Sequence, residues 1–131
     1  MKIGIMGGTF NPIHNAHLLI AEMAREEYGL DRVIFITDGN PPHKSANVTA
    51  KQRFEMTHIA IADNSAFEED DFEINRSEKS YTVNTLGYLK EKYPNNDLFF
   101  IIGEDSLNDL DNWSRPDKLL EMCSLLVFPR K

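Results

Sequence analysis

At 131 residues the chain suffices for one domain with a real core, spanning 1–131, and leaves no room for a separate substrate domain. Its 41% apolar and 27% charged residues exclude intrinsic disorder, and a net charge of −7 excludes a broad basic face for long nucleic acid, so any anionic ligand is small and locally held. No run approaches the roughly 18 apolar residues of a membrane span, no signal-peptide pattern opens the chain, and the single cysteine, Cys123, excludes an internal disulfide.

A cytoplasmic protein without a membrane or nucleic-acid partner is therefore expected, with Cys123 an inert core residue beside Met122 and Leu125. Residues 2–6 read as a short buried strand and lead into Met6-Gly7-Gly8-Thr9-Phe10-Asn11-Pro12-Ile13-His14-Asn15-Ala16-His17. A helix over 15–28 follows, with Ala16, Ile20, Met23 and Ala24 on one face and Gly29 as its stop. Residues 32–37 predict a second strand, and the loop Asp38-Gly39-Asn40-Pro41-Pro42-His43-Lys44 closes on a cation. Thr49-Ala50-Lys51-Gln52 is a capping box for a helix reaching about Ala62, on which Arg53 reads as an exposed arginine. The acidic run 68–71 reads as a solvated loop rather than a metal site, with a third strand over 71–74. A helix over 82–92 ends before the turn Pro94-Asn95-Asn96, and a fourth strand over 98–102 ends in Gly103-Glu104-Asp105. A shorter helix starts at Pro116, and residues 125–128 close the series as a fifth strand.

This alternation predicts an α/β fold, a doubly wound parallel five-stranded sheet with helices on both faces. Ligands bind such sheets beyond the carboxyl ends of the strands, where the winding reverses. Gly7-Gly8-Thr9 and Gly103-Glu104-Asp105 then face one crevice if the first and fourth strands are neighbours, and the loop carrying Lys44 converges on it. The glycines lie before a helix N-terminus, as a phosphate cradle requires. No Gly-Lys-Ser or Gly-Lys-Thr follows them, and Gly-x-Gly-x-x-Gly does not occur, so neither a Walker A loop nor a dinucleotide fingerprint is present. His14 and His17 stand three residues apart around the helix start, where both rings can project toward one anion. Zinc is a poorer match, because two histidines supply at most two ligands and no cysteine or carboxylate stands nearby.

Gly8-Thr9-Phe10-Asn11-Pro12 with His14-Asn15-Ala16-His17 resembles the Gly-x-Phe-x-Pro and His-x-Gly-His signature of the nucleotidyltransferase superfamily. Pro41-Pro42-His43-Lys44, Ser80-Tyr81-Thr82-Val83-Asn84-Thr85-Leu86 and Gly103-Glu104-Asp105-Ser106-Leu107 with Trp113 are similar to bacterial nicotinate-nucleotide adenylyltransferases. The resemblance implies that nicotinate mononucleotide attacks the α-phosphorus of ATP, giving deamido-NAD and pyrophosphate. It implies that His14, His17 and Lys44 serve catalysis, holding phosphates and stabilising charge, and that Mg²⁺ enters with ATP. Gly7, Gly8, Thr9, Phe10, Gly103 and Asp105 would then bind ATP, Asp105 reaching a ribose hydroxyl. Thr82 and Trp113 would meet the nicotinate end, the indole by stacking.

Plainer roles compete with these. Trp113 can be a surface or core residue, Asp105 a helix cap and Lys44 a solvated loop lysine. Two departures stand out. Ala16 replaces the usual glycine, and the chain stops at Val127-Phe128-Pro129-Arg130-Lys131 where the superfamily continues to a Ser-Ser-Thr-x-Ile-Arg type motif that binds triphosphate. A truncated form is expected, with a shortened variant that grips pyrophosphate differently as the alternative; truncation would expose part of the fifth strand and its neighbouring apolar face, favouring a homo-oligomer or poor stability. The remaining functional alternatives are a related transferase, of phosphopantetheine adenylyltransferase or glycerol-phosphate cytidylyltransferase type, and a nucleotide-binding module without turnover.

Overall fold

The computed structural model describes residues 1–8, 10, 15–37, 49–74 and 81–128. Strand β1 (Lys2–Gly8) is followed by α1 (Asn15–Tyr28), β2 (Arg32–Thr37), α2 (Ala50–Ile61) and β3 (Phe67–Asp70). The second half comprises α3 (Thr82–Lys92), β4 (Asp97–Gly103), α4 (Glu104–Asn108), a 3₁₀ turn (Leu110–Asn112), α5 (Pro116–Met122) and β5 (Ser124–Phe128). The strands form one sheet in the order β3-β2-β1-β4-β5, and every neighbouring pair is parallel.

Side-chain alternation along the strands explains why helices cover both faces. Val33 and Phe35 of β2 pack with Met6, Ile101 and Leu126 against Ala21 and Ala24 of α1 and Ile61 of α2. Ile34 and Ile36, one position out of phase, join Ile3, Ile5 and Phe100 on the other face, under Leu86 and Leu89 of α3 and Leu119 of α5. This is the doubly wound five-stranded fold that the alternating pattern predicts.

Local signals fix the helix ends. Gly29 takes φ +65, the left-handed conformation that terminates α1 without a Cβ penalty. Thr49 Oγ1 accepts from the Gln52 amide at 3.1 Å while Gln52 Oε1 accepts from the Thr49 amide at 3.1 Å, completing the capping box of α2. Pro116 opens α5 at a position where its missing N–H costs nothing.

Three expectations need correction. The third strand lies at Phe67–Asp70, so the acidic run forms the sheet edge rather than a solvated loop, and residues 72–74 form a turn. Each of the three carboxylates within β3 finds a partner that hydropathy cannot foresee. Glu68 pairs with Arg32 at 2.8 Å, Glu69 with His58, and Asp70 accepts from Lys92 Nζ and Tyr88 Oη at 3.1 Å each. Charged side chains also suit an edge that must not recruit another strand.

Arg53 is 2% exposed, not a surface arginine. It shares the inner face of α2 with buried Thr57 and Ile61, one and two turns further on, and polarity alone does not reveal that face. On α1 the buried stripe centres on Ala21 and Ala24, whereas Met23 is 45% exposed and Ala16 is exposed. Small alanines let the helix approach the sheet closely, leaving the longer apolar chains on its flank.

Candidate active site

The winding reverses between β1 and β4, which pair in parallel through Lys2–Asp97, Ile3–Leu98, Gly4–Phe99 and Ile5–Phe100. At the carboxyl ends of these two strands a cleft of about 900 Å³ opens. Gly7 and Gly8 border it from β1 and Gly103 from β4, so the two glycine turns do share one crevice. A Cβ on Gly103 would meet no atom within 4 Å, which keeps this rim open to a ligand.

The β1 turn is tighter. Phe10 holds φ +48, a conformation rarely adopted by a side-chain-bearing residue, and its ring is 3% exposed. A Cβ on Gly8 would lie 2.9 Å from Cε1 of that ring, so glycine here is a packing requirement. The ring meets Phe35 at 6.1 Å on the core side and, edge to face, the His17 imidazole at 5.1 Å with an interplanar angle of 80°. Phe10 thus enters the core and supports His17, and it does not border the cleft itself.

His17 stands in the first turn of α1, half-buried, and borders the cleft with Ala16. No acidic residue occupies that first turn, so the helix N-terminus keeps its partial positive charge. The Ala16 methyl faces cleft space rather than the core, which explains why alanine fits there. Leu19 and Met23, two of the exposed apolar side chains of α1, extend the same wall.

The opposite wall comes from α3 and the segment after β4. Thr82 opens α3 and borders the cleft, and the N-cap residue Tyr81 makes no side-chain cap, its carbonyl instead accepting from the Asn84 amide at 3.0 Å. Trp113, half-buried at the end of the 3₁₀ turn, borders the cleft and meets Phe100 edge to face at 6.0 Å and 71°. Its indole is held as an aromatic wall. Asp105 is the second residue of α4, inside the helix rather than at its cap, and Glu104 separates it from Gly103. Thr9, His14 and Lys44, with the rest of the Asp38-to-Lys44 loop, lie outside the described residues.

Sequence reasoning missed Glu73 and Thr85. Both are buried, at 6% and 4% exposure, both border the cleft, and Thr85 Oγ1 donates to Glu73 Oε2 at 2.5 Å. An isolated glutamate inside an expected strand carries no motif; only the packing of the turn 72–74 beneath α3 brings it to the site. Cys123 packs partly buried beside Met122 and Leu125 on the α3–α5 face of the sheet, its thiol pushed up to about 11 by burial.

Comparison with known proteins places this arrangement. The protein named probable nicotinate-nucleotide adenylyltransferase from Citrifermentans bemidjiense is 48% identical over 132 residues, and its namesake from Pelobacter propionicus is 52% identical over 132. In each case the match covers 99% of this chain and 61% of the relative, so the chain spans less than two thirds of their length. The structure titled Plasmodium falciparum nicotinic acid mononucleotide adenylyltransferase complexed with NaAD superposes with a TM-score of 0.85 at 25% identity, covering 98% of this chain and 64% of that one. The same enzyme complexed with APC gives 0.83 at 25% identity, with the same coverage. The profile of the cytidylyltransferase-like family matches residues 5–131. With its glycine turns meeting at the β1–β4 reversal and that match running through nearly the whole chain, the protein belongs to the cytidylyltransferase-like family.

Proposed function

We propose that this chain carries the nucleotide-transfer site of a nicotinate-nucleotide adenylyltransferase, joining the adenylyl group of ATP to nicotinate mononucleotide. The observation that carries the reading is the two-ended cleft. One side offers glycine turns and the first turn of α1 with His17, suited to phosphates; the other offers Thr82 at the start of α3 together with the Trp113 indole, suited to a carboxylated aromatic ring. The names of the relatives, at 48% and 52% identity, support the same pair of substrates.

In this reaction a phosphate oxygen of the mononucleotide bonds to the α-phosphorus of ATP, and the bond to the β-phosphate oxygen breaks, releasing pyrophosphate. The nucleophile is already ionised at neutral pH, so no general base is required and catalysis rests on alignment and charge stabilisation. His17 meets the developing phosphoryl charge, held by the Phe10 ring behind it. His14, Lys44 and the Thr9 amide are assigned to the same anion, Gly7, Gly8, Gly103 and Asp105 to the adenylate, and Thr82 and Trp113 to the pyridine. Among the described residues no three His, Cys, Asp or Glu side chains are grouped to hold a metal. Mg²⁺ is assigned to the triphosphate and water, where it would offset charge between the phosphates.

Pyrophosphate release from ATP plus nicotinate mononucleotide tests the reading, with phosphopantetheine and with glycerol phosphate plus CTP as alternative substrates. Turnover with the pyridine mononucleotide alone is expected. Preference for either alternative overturns it.

A further inference from the structure

Trp113, the only tryptophan of the chain, stands half-buried on the cleft wall, although the segment that carries it has little regular structure of its own. A three-residue 3₁₀ turn ends before it, and its amide donates to the Leu110 carbonyl at 3.0 Å. Two residues later Arg115 holds φ +51 and ψ +59, in the left-handed region that side-chain-bearing residues rarely adopt. Pro116 follows, and a proline pushes the residue before it toward extended backbone instead. Arg115 is therefore held against its local preference. What holds it is tertiary: its carbonyl accepts from the Lys118 and Leu119 amides at 3.1 Å each, and the Leu119 side chain is fully buried on the α3–α5 face of the sheet.

Phe100 confines the indole from the sheet side. Its ring is buried in the same cluster as Leu119 and meets Trp113 edge to face at 6.0 Å and 71°. The indole is thus fixed twice from one core, directly through Phe100 and along the backbone through Arg115 and α5. A ring already in place before its ligand arrives loses little freedom on stacking, and that preorganisation strengthens binding. Strained backbone persists only where the surrounding structure over-determines it, and it clusters at ligand sites. We propose that Phe100 and Arg115 are positioning residues that preset the Trp113 indole for an aromatic ring, Arg115 through its backbone rather than its guanidinium. The proposal rests on the pyridine-nucleotide reading above and goes beyond it in assigning two residues that act through Trp113.

Tryptophan emission reads Trp113 alone, which makes the test direct. In the unsubstituted protein, time-resolved anisotropy is expected to show an indole that turns with the whole molecule, and nicotinate mononucleotide to quench its emission. Phe100→Leu removes the ring contact and keeps much of the apolar volume. It is expected to free the indole and to weaken nicotinate mononucleotide about fivefold by calorimetry, while ATP stays within about twofold. Arg115→Gly takes the left-handed backbone without a Cβ penalty, so its denaturation midpoint should hold or rise while the indole gains motion and the mononucleotide weakens about threefold. A merely structural role would lower stability and affinity together. Arg115→Ala removes the guanidinium but keeps a restricted backbone, and is expected to weaken the mononucleotide less than Arg115→Gly does. A freely moving indole in the unsubstituted protein overturns the proposal, as does unchanged mononucleotide affinity in Phe100→Leu or Arg115→Gly, or an equal loss in Arg115→Ala. If Phe100→Leu does not fold, Phe100→Met carries its arm with the same expectation. Binding of ATP but not of nicotinate mononucleotide by the unsubstituted protein instead overturns the pyridine reading itself, and the proposal with it.

Discussion

Phe10 and Gly8 show how single residues set the geometry of the turn after β1. The Phe10 ring occupies the volume a Gly8 side chain would need and simultaneously backs the His17 imidazole. Gly8→Ala is therefore expected to cost about 1–3 kcal/mol of stability through overpacking. Adding Phe10→Leu should recover part of that loss, and a double-mutant cycle by chemical denaturation measures the coupling. His17→Ala should lower kcat by about 10²–10³ with little change in stability, read from steady-state rates beside a denaturation curve. At Cys123 burial holds the thiol up at about 11, so the neutral form is the one the fold favours. The stability this contributes is fully present below the unfolded pKa of about 8.5 and is lost as pH rises from there toward 11. Alkylation at pH 9 should accordingly be slow in the folded protein, with about 1% thiolate, and fast once denaturant is added.

Elements with strong local signals were legible in the chain, and those held by distant partners were not. The limits of α1 and α3 and the capping box of α2 follow from glycine placement, apolar spacing and side-chain capping. Strand β3 has no such signal, because three of its four residues are acidic and their partners sit on β2, α2 and α3. The Asp70 cluster shows the consequence. Its side chain is 4% exposed and takes hydrogen bonds from Lys92 and Tyr88, and the Asp70 bond pushes the Lys92 ammonium pKa upward. Lys92→Met should cost about 1–2 kcal/mol, less than the roughly 3–5 of a wholly enclosed pair because the lysine is half exposed. A raised lysine pKa stabilises the fold below the unfolded value and loses that effect as pH rises through the folded one. The deficit of the variant should hold from pH 6 to 9 and shrink only above about pH 10.4, measured by denaturation at each pH.

At the scale of the whole molecule, both faces of the sheet must be covered for the cleft to exist. Phe35 is fully buried at the centre of one face and touches the Phe10 ring, so core and site share a contact. Phe35→Ala should cost about 3–5 kcal/mol by denaturation and also loosen the His17 support, lowering kcat in whatever fraction stays folded. Periodicity and turn chemistry by themselves determined the fold class, the helix limits and the strand ends that carry glycine, because these depend on residues close together in the chain. Tertiary structure decided the remainder. It made β1 and β4 neighbours and so joined the two glycine turns, moved the third strand onto an acidic edge, and buried Arg53. It also brought Glu73 beneath Thr85. A carboxylate or guanidinium is stable inside a protein only where partners gather around it, and those partners lie far away in sequence.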